Sequence, residues 1–288
     1  MFRPRVIPCL LLRNKGLVKS TKFKDHKYVG DPINAVRIFN AKEADELIFL
    51  DISATHEQRR PPLALIEKIG NEAYMPFTVG GGIRTIEDIR ILLSLGAEKV
   101  AINTAAVENP AFIREAADVF GSSAIVVSLD VKRKFFVKYG IYTYSGTRNT
   151  GLEAVNFATE MAKSGAGEIM LNSIDHDGVM GGYDIDLIRQ VANAVTIPVI
   201  ACGGMGSLED VAAVVNEGNA SAAAAGSYFV YQGRRRAVLI NFPTQKQLSN
   251  IFEGRPSLVN DQSVGANVGC SEQRSNAVPG ILAQPRTR

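Results

Sequence analysis

"FTVGGGIRTIEDI" at residues 77–89 and "VIACGGMGSLEDV" at residues 199–211 share one layout. Each starts with a short apolar run, passes through a Gly-rich turn, and reaches Thr85 or Ser207 followed by an acidic pair. A hydroxyl residue before an acidic first turn is a helix N-cap signal, so both stretches read as strand, turn and helix. They lie about 122 residues apart, and the same offset aligns other segments. "VAINTAAV" (100–107) falls opposite "AAAAGSYFV" (222–230), and "LIFLDIS" (47–53) opposite "EIMLNSID" (168–175). At a slightly shorter offset, about 119, "VIPCLLL" (6–12) falls opposite "IVVSLDV" (125–131), so Leu11 occupies the slot that Asp130 fills in the second half. Self-similarity at one nearly constant offset marks a duplicated unit.

Working outward, eight short apolar runs read as strands, at 5–11, 47–52, 76–79, 99–103, 124–130, 168–172, 197–201 and 222–226. Most are apolar on both faces, as parallel strands buried on two sides are. Amphipathic stretches alternate with them, among them 31–44, 85–96, 109–121 and 207–218, the second and fourth followed by Gly96 and Gly218 as C-cap signals. Eight β–α units in about 250 residues predict a (β/α)8 TIM barrel built from two similar half-barrels. A doubly wound open sheet is the alternative, but its GxGxxG turn is absent. The periodic pattern stops near residue 252. The barrel is therefore expected over 1–252, and 253–288, with no aromatic residue and no period, reads as a disordered tail.

Composition limits the partners. The chain has 288 residues, is 46% hydrophobic and 21% charged, and carries a net charge of +3. Mild basicity suits an anionic small molecule. It does not point to nucleic acid, because the longest basic run is Arg234-Arg235-Arg236, read as a solvated helix start, and Trp is absent. No apolar stretch approaches the roughly 18 residues needed to cross a bilayer, and the opening "MFRPRVIPCLLL" is too short an apolar run for a secretory leader. Cys9, Cys202 and Cys270 form no metal-binding spacing, and Cys9 and Cys202 read as small buried residues in a reducing cytoplasm. No cofactor and no metal are expected.

Three sets of residues carry chemistry. The turns "VGGGIRT" and "ACGGMGS", with "INTA" (102–105) and "AGS" (225–227) at the next strand ends, offer backbone N–H groups and hydroxyls to anions. Glycines of one such turn could serve the turn alone. Two matched turns across one barrel mouth favour a substrate with a phosphate at each end. Asp51, Asp130, Asp175 and Asp177 stand at other strand ends, where carboxylates can act as general acid and base. His176 between two of them reads as incidental, and His26 and His56 lie in polar stretches. Arg5, Glu46, Lys99 and Glu168 each immediately precede an apolar run, so four charges of alternating sign could form a ring at the bottom of the barrel.

Taken in order, "RVIPCL", "GDP", "ADELIFLDI", "FTVGGGI", "GAEKVAINTAAV", "VSLD", "TGLEAV", "GAGEIMLNSIDHDG", "GGYDIDLI" and "IPVIACGG" resemble the HisF family, the cyclase subunits of imidazole glycerol phosphate synthase, over about residues 1–243. The resemblance implies a barrel that takes ammonia at its bottom from a HisH glutaminase partner. In the family the ammonia passes along the axis and reacts at the top with a bisphosphorylated ribulosyl substrate, giving imidazole glycerol phosphate and an aminoimidazole carboxamide ribotide. It further implies phosphate contacts at Gly82 and Thr104 for one end and at Gly178, Gly204 and Ser227 for the other. Arg5, Glu46, Lys99 and Glu168 match the charged gate, and Lys19 matches a lysine in the mobile loop after the first strand.

One position departs. The family's two catalytic acids are the Asp after "PCL" and the Asp of "VSLD"; here the second is Asp130 and the first is Leu11. Leucine transfers no proton. "RPRVIPCLLL…GLVKS" resembles a divergent HisF subgroup of surface-polysaccharide gene clusters, in which ammonia is supplied to a sugar amidotransferase. The expected role is thus ammonia delivery for sugar amidation in lipopolysaccharide or O-antigen synthesis, in the cytoplasm. The alternatives are a genuine cyclase of histidine synthesis, using Asp130 with Asp51 or Asp177, and a non-catalytic activator of the glutaminase.

Overall fold

The computed structural model describes residues 3–134, 139–233 and 235–253. Strand β1 (Arg5–Arg13) runs on into a hairpin, β2 (Gly16–Thr21) and β3 (Lys24–Gly30), before helix α1 (Pro32–Ala41). Then follow β4 (Leu47–Asp51), α2 (Leu63–Glu72), β5 (Phe77–Gly80), α3 (Ile86–Ser94), β6 (Lys99–Ile102), α4 (Thr104–Glu108) and α5 (Ala111–Phe120). The second half repeats the plan. β7 (Ile125–Arg133) runs into a hairpin, β8 (Tyr139–Thr143) and β9 (Arg148–Glu153), before α6 (Ala154–Lys163). After these come β10 (Glu168–Ser173), α7 (Ile185–Ala194), β11 (Val199–Cys202), α8 (Leu208–Asn216), β12 (Ala222–Ala225) and α9 (Ser227–Val230). A short hairpin, β13 (Tyr231–Gln232) and β14 (Ala237–Val238), and α10 (Gln245–Asn250) close the described chain.

All eight expected runs are strands of one parallel sheet, in the order β10-β11-β12-β1-β4-β5-β6-β7, and β7 pairs with β10 to close it. The fold is a (β/α)8 TIM barrel. The half-barrel repeat is visible in its caps. Thr85 and Ser207 each form a capping box, the first with Asp88 and the second with Asp210, so each helix start satisfies two of its orphan donors in the same way.

Alternation along each strand sorts the core into two parts. Val6, Leu10 and Leu12 of β1 face out and share a large cluster with Val36, Phe39 and Ile66 of the surrounding helices. Ile7 and Cys9 face in and share a small cluster with Ile48, Ala101, Met170, Ile200 and Ala224. The interior is thus a thin apolar column between two polar ends.

Two features differ from expectation. The hairpins after β1 and β7 were not legible, because their outer faces are exposed and polar and so lack the alternation that marks a half-buried strand. The basic run starts no helix: Arg235 and Arg236 lie in the turn between β13 and β14, where Arg236 donates to the Gly178 carbonyl at 3.0 Å. The segment expected as a tail lies outside the described residues from 254 on. Among the described residues, no helix is long and apolar enough to cross a membrane.

Candidate active site

The C-terminal ends of the barrel strands surround a cavity of about 230 Å³. Parallel packing alone brings Asp51, Asp130 and Asp177, spread over about 125 residues of chain, to its wall. Their surroundings then give them different chemistry.

Asp51 ends β4 and is committed. Its Oδ1 accepts the N–H groups of Ser53 and Ala54 at 3.0 and 3.1 Å, and its Oδ2 pairs with Arg59 at 2.6 Å. Both of its oxygens are thus engaged, one by two backbone N–H groups and the other by a guanidinium. Asp130 is the opposite case. It faces in from β7, and its one hydrogen bond among the described residues is accepted from Asn172 Nδ2 at 3.4 Å. Burial pushes its carboxyl up to about 7, with Asp177 adding to the rise and the Asn172 bond opposing it. Asp177 accepts from Ser20 Oγ at 2.8 Å and from the Phe23 N–H at 3.4 Å. Burial raises its carboxyl too, against the pull of Ser20 and Lys19. Asp175 points away to the N–H of Arg133, and His176 Nδ1 is spent on the Gly182 carbonyl at 2.8 Å.

Lys19 is not in a loop. It lies in β2, 5% exposed, with its ammonium donated to the Cys9 carbonyl. The hairpin takes this position because β2 pairs with the top of β1, Leu11 opposite Val18, and folds over the mouth. Burial lowers the basicity of this amine. Leu11 and Leu50 present an apolar wall on the side where the other half-barrel presents Asp130.

The two glycine turns also line the cavity. Gly82 (φ +70°) and Gly204 (φ +123°) are in backbone conformations that favour glycine, and a methyl group at either would collide with the carbonyl of Arg59 or Gly182. Gly82 N–H is directed to Thr55 Oγ1 at 3.2 Å, and Thr104 Oγ1 accepts from the Tyr144 N–H at 3.3 Å. On the other side, Gly178, Gly204 and Ser227 line the wall together, with Lys19 Nζ packed against Gly226. Among the described residues, no group of three or more His, Cys, Asp or Glu is placed to hold a metal ion.

At the opposite end the four charges do form a ring. Arg5 pairs with Glu46 and, at 2.8 Å, with Glu168, while Lys99 lies 3.3 Å from each of the same two glutamates. Thr78 Oγ1 donates to Glu46 at 3.0 Å. Glu46 is 2% exposed, with Arg5, Lys99 and Thr78 all donating to its carboxylate.

The family model described as "Histidine biosynthesis protein" matches residues 5–235. The chain belongs to the HisF family. It is 49% identical over 248 residues to "Putative imidazole glycerol phosphate synthase subunit hisF2" of Pseudomonas aeruginosa, covering 86% of this chain and 99% of that protein. To "Imidazole glycerol phosphate synthase subunit HisF" of Alkaliphilus metalliredigens it is 48% identical over 231 residues, 80% of this chain and 92% of that protein. Within this HisF-family barrel, several wall residues escaped the sequence reading. Asn172, Tyr144, Phe23 and His26 line the cavity as well. Asn172 could have been found by counting in twos from Glu168 through Met170, whereas Phe23 and His26 depend on how the β2–β3 hairpin folds over.

Proposed function

We propose that this HisF-family barrel receives ammonia from a HisH-like glutaminase at its bottom face and passes it through the barrel to an acceptor at the mouth. The acceptor reaction is the amidation of a sugar in lipopolysaccharide or O-antigen synthesis, carried out with a sugar amidotransferase in the cytoplasm. One observation carries this reading. The Arg5–Glu46–Lys99–Glu168 ring is complete, while the mouth holds Leu11 across from Asp130. The interior between them suits a small neutral molecule, because an apolar column excludes an ion far more strongly than ammonia. The glycine turns and Ser227, in this reading, hold phosphates of the acceptor or of a ligand that shapes the mouth.

The second reading is a lyase-type cyclase of histidine synthesis, producing imidazole glycerol phosphate. It is favoured by Asp177, whose raised carboxyl shares the cavity with Asp130. Asp51 does not serve that reading, since Arg59 and two backbone N–H groups occupy it. The deciding experiment supplies the purified barrel with the ribulosyl bisphosphate substrate and ammonium salt. Turnover at the rate of a histidine-pathway cyclase overturns ammonia delivery as the main role. Absence of turnover, together with glutamine-dependent amidation when glutaminase and sugar amidotransferase are added, supports it.

A further inference from the structure

Along the inner side of β10 stand Glu168, Met170 and Asn172: a member of the bottom ring, a residue of the apolar column and an amide at the mouth. β10 pairs with β7 in a register that sets Asn172 beside Asp130. Asn172 Nδ2 donates to Asp130 Oδ1 at 3.4 Å, but Asn172 Oδ1 has no hydrogen-bond partner among the described residues, although the residue is only 6% exposed. A buried carbonyl left unpaired costs ~1–3 kcal/mol, so this oxygen calls for a donor. With Asp130 ionised, turning the amide over would set its oxygen against the carboxylate, acceptor against acceptor. Gly203 lies close beside this oxygen: a methyl group there would stand 3.2 Å from Oδ1 and crowd it.

Of the donors on the cavity wall, Asn103 Nδ2 serves the carbonyls of Ser128 and Tyr142 and Lys19 donates to the Cys9 carbonyl, while the Leu11 side chain offers none. What fits is a small ligand, rich in N–H donors, that can sit between an amide oxygen and a carboxyl group. We propose that Asn172 Oδ1 and the Asp130 carboxylate form a holding site for ammonium at the upper end of the barrel interior. This deepens the ammonia-delivery reading of the same cavity and rests on it. Ammonia arriving from the apolar column takes the proton of the neutral Asp130 carboxyl. The O–H bond breaks, an N–H bond forms, and an ammonium–carboxylate pair results, with one N–H donated to Asn172. On release the proton returns to Asp130 and neutral ammonia leaves for the acceptor. A carboxyl titrating near 7 is suited to both steps. The other titratable groups facing it are Asp177, from the segment after β10, and Cys9 on β1.

The test follows the Asp130 carboxyl carbon by NMR in the full chain, titrated in ammonium, potassium or sodium chloride at equal ionic strength. Ammonium lowers the midpoint by about one pH unit, a tenfold effect, because a bound cation favours the carboxylate. Asn172→Leu abolishes that response. Asn172→Thr, which keeps an oxygen acceptor, retains it and serves as the reading if the Leu variant does not fold. Equal midpoints in all three salts, an equal shift in potassium, an Asn172→Leu protein that responds like the parent, or loss of the response in Asn172→Thr would each overturn the holding site. The delivery reading fails separately: an intact ammonium response without any glutamine-dependent transfer refutes delivery and leaves the site standing.

Discussion

Restoring an acid at position 11 tests the site most directly. Leu11 lies on the inner face of β1 at the position that Asp130 holds on β7, half-buried against the cavity. If the remaining geometry suits the ribulosyl substrate, Leu11→Asp supplies the missing member of an acid–base pair. That is worth on the order of 10²–10⁴-fold in rate, or roughly 2.7–5.4 kcal/mol of barrier at 1.36 kcal/mol per factor of ten. The cost in stability is modest, about 1–2 kcal/mol, because a half-buried leucine gives up only part of its apolar burial. The new carboxylate also pushes the Asp130 carboxyl further up, since like charges sharing one site disfavour ionisation. The assay is initial rate with the bisphosphorylated ribulosyl substrate and ammonium salt, with Leu11→Asp/Asp130→Asn as the blank. A gain of at least a hundredfold is expected over an almost inactive parent. A parent already within tenfold of the variant, or a folded variant no faster than its blank, refutes the argument that one absent acid is what silences cyclisation.

Other perturbations follow from the same geometry. Lys99→Ala removes two of the ring's four links and leaves Glu46 and Glu168 joined only through Arg5. In a reconstituted complex with a HisH-like glutaminase, glutamine hydrolysis should lose its coupling to ammonia transfer while the Tm of the barrel moves by only a few degrees, and normal coupling would contradict the gate. Asp130→Asn should raise stability as pH increases. The folded carboxyl titrates near 7 against an ordinary 3.8, so below about pH 4 both states are protonated and nothing is gained. Between about pH 4 and 7 the unfolded state ionises first and the native protein loses stability, up to ~4 kcal/mol above pH 7. Urea unfolding at pH 5 and pH 8 checks this, and a gain no larger at pH 8 than at pH 5 would be the wrong sign. Gly204→Ala forces a methyl group into the Gly182 carbonyl at φ +123°, and thermal unfolding should show a loss of ~2 kcal/mol or more.

Much of this protein is legible in its linear order. The doubled strand–turn–helix stretches at 77–89 and 199–211, with their Thr85 and Ser207 caps, carry the duplication, and eight apolar runs carry the strand count. These are local properties: alternation, capping and turn chemistry act between neighbours a few residues apart, so one chain read left to right displays them. The substitution at 11 is legible for the same reason, because the offset that aligns the halves sets it against Asp130. The hairpins of 16–30 and 139–153 were not, since their polar outer faces carry no alternation and their strand form comes from pairing with the overrunning ends of β1 and β7. The sequence left Asp51 and Asp177 as equal candidates. Only the tertiary structure separates them, by bringing Arg59 onto one and leaving the other among buried groups that raise its carboxyl. It alone shows Lys19 entering the barrel, and Asn172 beside Asp130 with an oxygen left without a donor among the described residues. Burial and the choice of partner across distant strands set the proton affinity of a side chain, and both arise only when the barrel closes.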